Sequence, residues 1–133
     1  MTFVDTNVFI YAVGRPHSLR APAREFFATS SRRGTRLCTS AEVLQELAHA
    51  YLPVGRLRTL DAAMTLVTRA DVEVWPLEEA DVRLARQFHE SHPALGSRDL
   101  CHLASCRRRG VSQVMTFDRA LGAVTRTPAA TPE

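Results

Sequence analysis

Four acidic residues stand out by their place along the chain: Asp5, Glu46, Asp99 and Asp118. Two of them close short apolar stretches, Asp5 in Phe3-Val4-Asp5-Thr6-Asn7 and Asp118 in Met115-Thr116-Phe117-Asp118. Carboxylates gathered at one point repel one another and raise each other's pKa unless a cation shares the site. Hard oxygen donors of this kind suit Mg²⁺ or Mn²⁺, not zinc. Such an ion can turn a bound water into a nucleophile and stabilise the leaving oxygen of a phosphodiester. Thr6, Asn7 and Thr116 are short polar neighbours able to orient a carboxylate or a water. Metal-assisted hydrolysis of a phosphodiester is the chemistry these residue types allow.

The acids can meet only if the fold brings distant segments together. Thr2 to Val4 reads as a buried strand ending at Asp5. A helix is expected over Ser18–Arg33, with Leu19, Ala23, Phe26 and Phe27 on its apolar side and Gly34 as its stop. Arg36–Cys38 reads as a second strand. A helix from about Ser40 to Leu52 follows, opened by a capping-box pattern from Thr39 to Glu42 and ended by Pro53 and Gly55. Another helix spans about Arg56–Arg69, and Val72–Trp75 alternates like a third strand. Glu78–Glu90 is helical with Ala80, Leu84 and Phe88 on its apolar face. A helix over about Arg98–Arg109 precedes a fourth strand, Gln113–Met115.

Short apolar strands separated by helices imply a parallel sheet covered on both faces, hence an α/β fold. Ligands of such sheets bind beyond the carboxyl ends of the strands. Asp5 and Asp118 fall there by sequence, while Asp99 opens the helix before strand four and Glu46 lies on the helix after strand two.

Each acid also has a simpler reading. Asp5 and Asp118 are placed to cap the segments that follow them, and Asp99 to complement a helix dipole. Glu42 is accounted for by the capping box, and periodicity favours Glu46 over it only weakly.

Bulk properties narrow the setting. The 133 residues suffice for one domain with its own core, assigned to 1–126, and the Thr/Pro/Ala-rich stretch from Thr127 to Glu133 reads as a disordered tail. The longest apolar run near the start, Val8–Val13, is too short for a membrane span, and no basic stretch precedes it as in a signal peptide. The expected location is the cytoplasm, where Cys38, Cys101 and Cys106 remain free thiols. Net charge is +3, and all 17 basic residues are arginine, a planar fork that grips phosphate in bidentate fashion. A basic chain with an acidic cluster suits a polyanionic substrate held beside a bound cation.

The acids lie in ordered motifs. Val4-Asp5-Thr6-Asn7-Val8 resembles the opening of a PIN-domain nuclease. The stretch from Thr39-Ser40 through Val43-Leu44-Gln45-Glu46-Leu47 resembles that family's second motif, with its acid on Glu46. Asp99-Leu100-Cys101-His102-Leu103-Ala104 is similar to the third, and Val114-Met115-Thr116-Phe117-Asp118 to the fourth. All four occur in order over nearly the whole chain, and the size matches VapC-type toxins of toxin–antitoxin pairs. The resemblance implies a three-layer α/β/α fold around a mainly parallel sheet of four to five strands. It further implies a Mg²⁺-dependent endoribonuclease, a homodimer and a VapB-type antitoxin. Asp5, Glu46 and Asp99 would be the core metal-binding acids, with Asp118 completing the site.

Competing readings are weaker. Receiver domains and haloacid-dehalogenase phosphatases also place an Asp after a first strand, but both rely on a lysine and this chain has none. His89 and His92 lack an HExxH partner for zinc. His102, one turn after Asp99, either lines the pocket or packs beneath it, and packing is the expectation. Arg107-Arg108-Arg109 closes a helix, where cations suit the dipole, and RNA contact is the second reading. A PIN-like module that binds RNA or protein without turnover is the alternative from another functional class.

Overall fold

The computed structural model describes residues 1–125, so the tail expected from Thr127 onward lies outside the described residues. The chain opens with strand β1 (Thr2–Val4), then helices α1 (Thr6–Val13) and α2 (Arg20–Arg33). Strand β2 (Leu37–Ser40) leads into α3 (Ala41–Tyr51) and α4 (Leu57–Arg69). Strand β3 (Glu73–Trp75) leads into α5 (Glu79–Phe88) and α6 (Ser97–Arg108), and β4 (Gln113–Met115) is followed by the short α7 (Arg119–Ala123).

The four strands form one parallel sheet in the order β3-β2-β1-β4. Parallel connections are right-handed, so stepping outward from β1 to β2 to β3 lays α1–α4 on one face. The return from β3 across to β4 lays α5 and α6 on the other face. This is the expected three-layer α/β/α arrangement, with four strands. Every residue of β1 is buried, as an inner strand with helices on both sides requires. Phe3 and Phe9 are wholly buried, and each side chain of that size contributes roughly 1.5–3 kcal/mol on leaving water. Gly34 ends α2 in the left-handed region (φ 68°), its N–H bonded to the carbonyls of Ser30 and Ser31.

Several local readings need correction. Ser40, not Thr39, caps α3: its Oγ accepts from the Val43 N–H at 3.2 Å, while the Thr39 hydroxyl donates to the Val4 carbonyl at 2.8 Å. The capping box from Thr39 to Glu42 is therefore absent, and Glu42 is left for another role. On α5 the buried positions are Asp81 and Ala85, and Ala80 is exposed. A carboxylate occupies that core position because Arg108 (2.7 Å) and Arg109 (3.4 Å) reach it from α6. Two of the three consecutive arginines thus clamp α6 to α5, and Arg107 lies over the Phe88 ring at 5.2 Å. Helices α1 and α7 are additions to the expected elements, short segments of eight and five residues behind their capping aspartates.

Candidate metal centre

The end of β1 is fastened on every side. The Asp5 N–H donates to the Met115 carbonyl at 3.0 Å, extending the ladder with β4 by one residue. Its Oδ1 then accepts from the Thr6 N–H (2.8 Å) and caps α1, while Oδ2 accepts from the Thr116 hydroxyl (2.7 Å) and from Asn7 Nδ2 (3.3 Å). Asn7 Oδ1 also accepts from the Phe117 N–H at 3.1 Å. The segments after β1 and β4 are thereby locked together, and Asp5 is held buried in one orientation. Thr6 turns the other way and donates its hydroxyl to Glu46 Oε1 at 2.9 Å, tying α1 to α3.

Helix α6 brings the third acid and a histidine. One carboxylate oxygen each from Asp5 and Asp99 and one ring nitrogen of His102 lie within 4.8 Å of one another. His102 Nε2 is 3.3 Å from Glu46 Oε1 and 3.8 Å from Asp5 Oδ1. On the other side of the ring, Nδ1 lies 3.7 Å from Glu42 Oε1. Arg98 closes the outer edge, with Nη1 3.2 Å from Glu46 Oε2.

Burial and mutual repulsion set the charge state. Asp99 is pushed up to about 6, first by burial and then by the Asp5 charge, with Asp118 and Glu46 adding and His102 opposing. Burial also raises Glu42, and its nearby cations offset this only in part. For Glu46 burial acts upward too, but bonds from His102, Thr6 and Arg98 outweigh it and hold the carboxyl below its ordinary value. Burial alone would lower His102, yet Glu46, Asp5 and Glu42 together lift it above the usual imidazole range.

The structure thus brings Asp5, Glu46 and Asp99 into one cluster at the carboxyl edge of the sheet. Asp118 stands at its rim: it is exposed, and its Oδ1 is spent capping α7 through the N–H groups of Ala120 (2.8 Å) and Leu121 (3.1 Å). Its charge still reaches Asp99. Sequence reasoning missed Glu42 and Arg98 and set His102 aside as packing. The signals were helical spacing: His102 is three residues after Asp99, and Glu42 four before Glu46, each on the face of its partner. The donor set fits a divalent cation. Carboxylates from three elements converge, Asp99 resists ionisation, and among the described residues the cations at hand are one imidazole and one half-exposed guanidinium.

Such a site on such a fold defines a class, and the PIN domain family model matches residues 2–126. The chain belongs to the PIN domain family. It is 60% identical over 126 residues to Ribonuclease VapC23 of Mycobacterium tuberculosis, covering 95% of this chain and 99% of that protein. Among solved structures it resembles Mycobacterium tuberculosis VapC20, described as a sarcin-ricin loop cleaving toxin. There the TM-score is 0.78 at 20% identity, over 92% of this chain and 94% of that one. VapBC2 of Rickettsia felis, solved with a DNA fragment from its promoter, matches with a TM-score of 0.69 at 13% identity over 92% of each chain. At those identities the two structures establish the fold, and the family rests on the sequence matches. Among the described residues no helix is long and apolar enough to cross a membrane.

Proposed function

We propose that this chain is a divalent-metal-dependent endoribonuclease and the toxin of a toxin–antitoxin pair. The observation that carries the reading is the under-neutralised cluster in which oxygens of Asp5 and Asp99 lie within 4.8 Å of each other and of a His102 nitrogen, with Glu46 3.3 Å from His102 Nε2 and Asp99 pushed up to about 6. In this reading those three acids hold Mg²⁺ or Mn²⁺ and Asp118 completes the site from its rim. When bound, the ion lowers the pKa of a water and offsets charge on the phosphate. The chain's own residues supply the frame. Thr116 and Asn7 fix the Asp5 carboxylate through its Oδ2, and Thr6 fixes Glu46. The half-exposed Arg98 adds a cation at the mouth, where a phosphate backbone enters.

The ribonuclease name of a 60%-identical relative supports RNA as substrate. The VapBC architecture of a fold neighbour supports a VapB-type antitoxin as partner. Residues 1–126 act as a single nuclease domain in this reading, as a homodimer in the cytoplasm. The test is incubation of the purified protein with structured RNA in Mg²⁺, in Mn²⁺ and in EDTA, beside an Asp5→Asn variant. Discrete cuts that require the metal and fall by roughly a thousand-fold or more in the variant are expected. Equal cutting by Asp5→Asn and the wild type would overturn the catalytic assignment. Metal binding without cutting of any RNA would favour a binding module of the same fold.

A further inference from the structure

His102 and Glu42 are left over once the acids have been assigned. His102 is 2% exposed, on a stretch of α6 whose every residue from Leu100 to Cys106 is buried. A core histidine is satisfied when its ring nitrogens find partners, and this one faces carboxylates on both sides. Its Nε2 hydrogen-bonds Glu46 Oε1 at 3.3 Å and stands 3.8 Å from Asp5 Oδ1, with an Asp99 oxygen in the same group, and the Nε2 proton would pass to solvent when that nitrogen takes a cation. Donors sharing one ion at about 2.1 Å stand roughly 3 Å apart when adjacent and roughly 4.2 Å when opposite. The separations around Nε2 are those of such a set, slightly opened.

The far edge of the ring carries the second observation. His102 Nδ1 and Glu42 Oε1 are both buried, and neither has a hydrogen-bond partner among the described residues. They face each other at 3.7 Å, just beyond bonding distance. A buried donor and a buried acceptor left unpaired each cost stability, and a small torsional change in Glu42 joins them. A metal-ligating histidine commonly gives its other ring N–H to a carboxylate, which fixes the tautomer and aims the free nitrogen at the ion. Glu42 behind Nδ1, with the acid cluster before Nε2, has that arrangement. The missing capping box frees Glu42 for it.

We propose that His102 is a nitrogen ligand of the metal centre and Glu42 the residue that positions it, so that the centre binds Mn²⁺ in preference to Mg²⁺. This rests on the reading of the acid cluster as a metal centre. Mg²⁺ keeps to oxygen donors and parts with water reluctantly, whereas imidazole nitrogen suits transition ions. An all-carboxylate centre would discriminate far less.

The test is pulsed electron paramagnetic resonance on Mn²⁺ bound to the purified full chain, which reads ¹⁴N modulation from a coordinated nitrogen and needs no variant to fold. A directly coordinated nitrogen is expected in the wild type, together with Mn²⁺ affinity at least ten-fold above that for Mg²⁺ by competition. His102→Gln should abolish the modulation and bring the two affinities close together. Glu42→Gln should keep the nitrogen signal and weaken Mn²⁺ binding about ten-fold or more. Mn²⁺ bound in an Asp5-dependent manner without nitrogen modulation would overturn the role of His102 and leave the carboxylate centre standing. No Mn²⁺ binding, or binding unchanged in Asp5→Asn, would remove the centre itself and the histidine with it.

Discussion

Two groups of buried charge make opposite bargains with the fold. At the α5–α6 junction a single carboxylate, Asp81, is wholly buried, and it accepts from Arg108 (2.7 Å), Arg109 (3.4 Å) and the Glu78 N–H (2.8 Å). Burial alone would raise it, but Arg108 and the Glu78 N–H, with Ser105 and Arg109, outweigh that and hold it below the ordinary range. At the carboxyl edge of the sheet the balance is reversed. Asp5, Glu42, Glu46 and Asp99 share His102 and the half-exposed Arg98, and Asp99 is pushed up to about 6. Each group contains a buried acid, Asp81 in one and Asp5 in the other, and each ties separate elements together. A saturated group has nothing left to bind and serves the fold, whereas an unsaturated one costs stability until a cation arrives. That contrast, more than burial or the number of acids, marks which cluster is a site.

The sharpest way to break the contrast is to unbalance the saturated group. Replacing both cations, Arg108→Met with Arg109→Met, leaves Asp81 as an uncompensated buried charge, and should lower the denaturant midpoint more than any other change to either group. Adding Asp81→Leu to that pair should recover much of the loss, since an apolar replacement of a whole buried ion group is often neutral. The pH dependence has a definite sign. A carboxyl held below its unfolded value contributes stability above about pH 4, and loses it as pH falls through its folded value. The triple variant should lack that component of acid unfolding. If the double variant were as stable as the wild type, the Asp81 group would not be the clamp its geometry describes.

A smaller effect of opposite sign is expected in the other group. Asp99 titrates near 6 in the folded chain and near 3.8 otherwise, so the folded state holds this proton more tightly. Its contribution is therefore present below about pH 4 and is lost as pH rises to about 6. Asp99→Asn in EDTA at pH 7.5 should be more stable than the wild type by about 1–2 kcal/mol, after allowance for solvent screening, and should melt several degrees higher. Adding Mg²⁺ or Mn²⁺ should reverse the order, because a ligand that binds only the folded wild type stabilises that protein alone. An Asp99→Asn variant less stable in EDTA would show that the cluster is already balanced.

The same contrast governs how much of the molecule was legible in its sequence. Elements defined by apolar periodicity were readable: β1, β2, β3 and β4, the parallel sheet, and the long helices from α2 to α6. The ends of β1 and β4 placed Asp5 and Asp118 at the carboxyl edge, and ordered motifs added Glu46 and Asp99. Periodicity failed where a charge occupies a core position. Asp81 is such a residue: Leu84 and Phe88 pack against the core as expected, but the first turn of that face is filled by Asp81 and not by the exposed Ala80. Glu42 failed for a related reason, because a local cap explained it and its partner lies 60 residues away on α6. His102 sits in an apolar stretch that reads as core, which it is, yet its ring is bounded by Asp5 just after β1 and by acids of α3. Pairings across the fold decide these roles, and no local pattern records them.

Arg98 allows the finest test, because it repeats the chemistry of Arg108 in a different setting. Its side chain is 59% exposed and bonds Glu46 Oε2 at 3.2 Å, whereas the Arg108 side chain is 33% exposed against a carboxylate with no exposure. An ion pair in water gains little over its hydrated parts and is screened by salt. Arg98→Met should therefore change unfolding free energy by less than about 0.5 kcal/mol, and the difference should vanish in roughly 0.5 M salt. Glu46 remains anchored by Thr6 and His102 in that variant, so the cluster keeps its shape. A loss as large as that from removing Arg108 and Arg109 would make Arg98 an internal counter-ion, and the acid cluster would then be a second clamp instead of a cation site. A near-neutral result leaves the carboxylates without their balancing charge, which is the condition a bound metal satisfies.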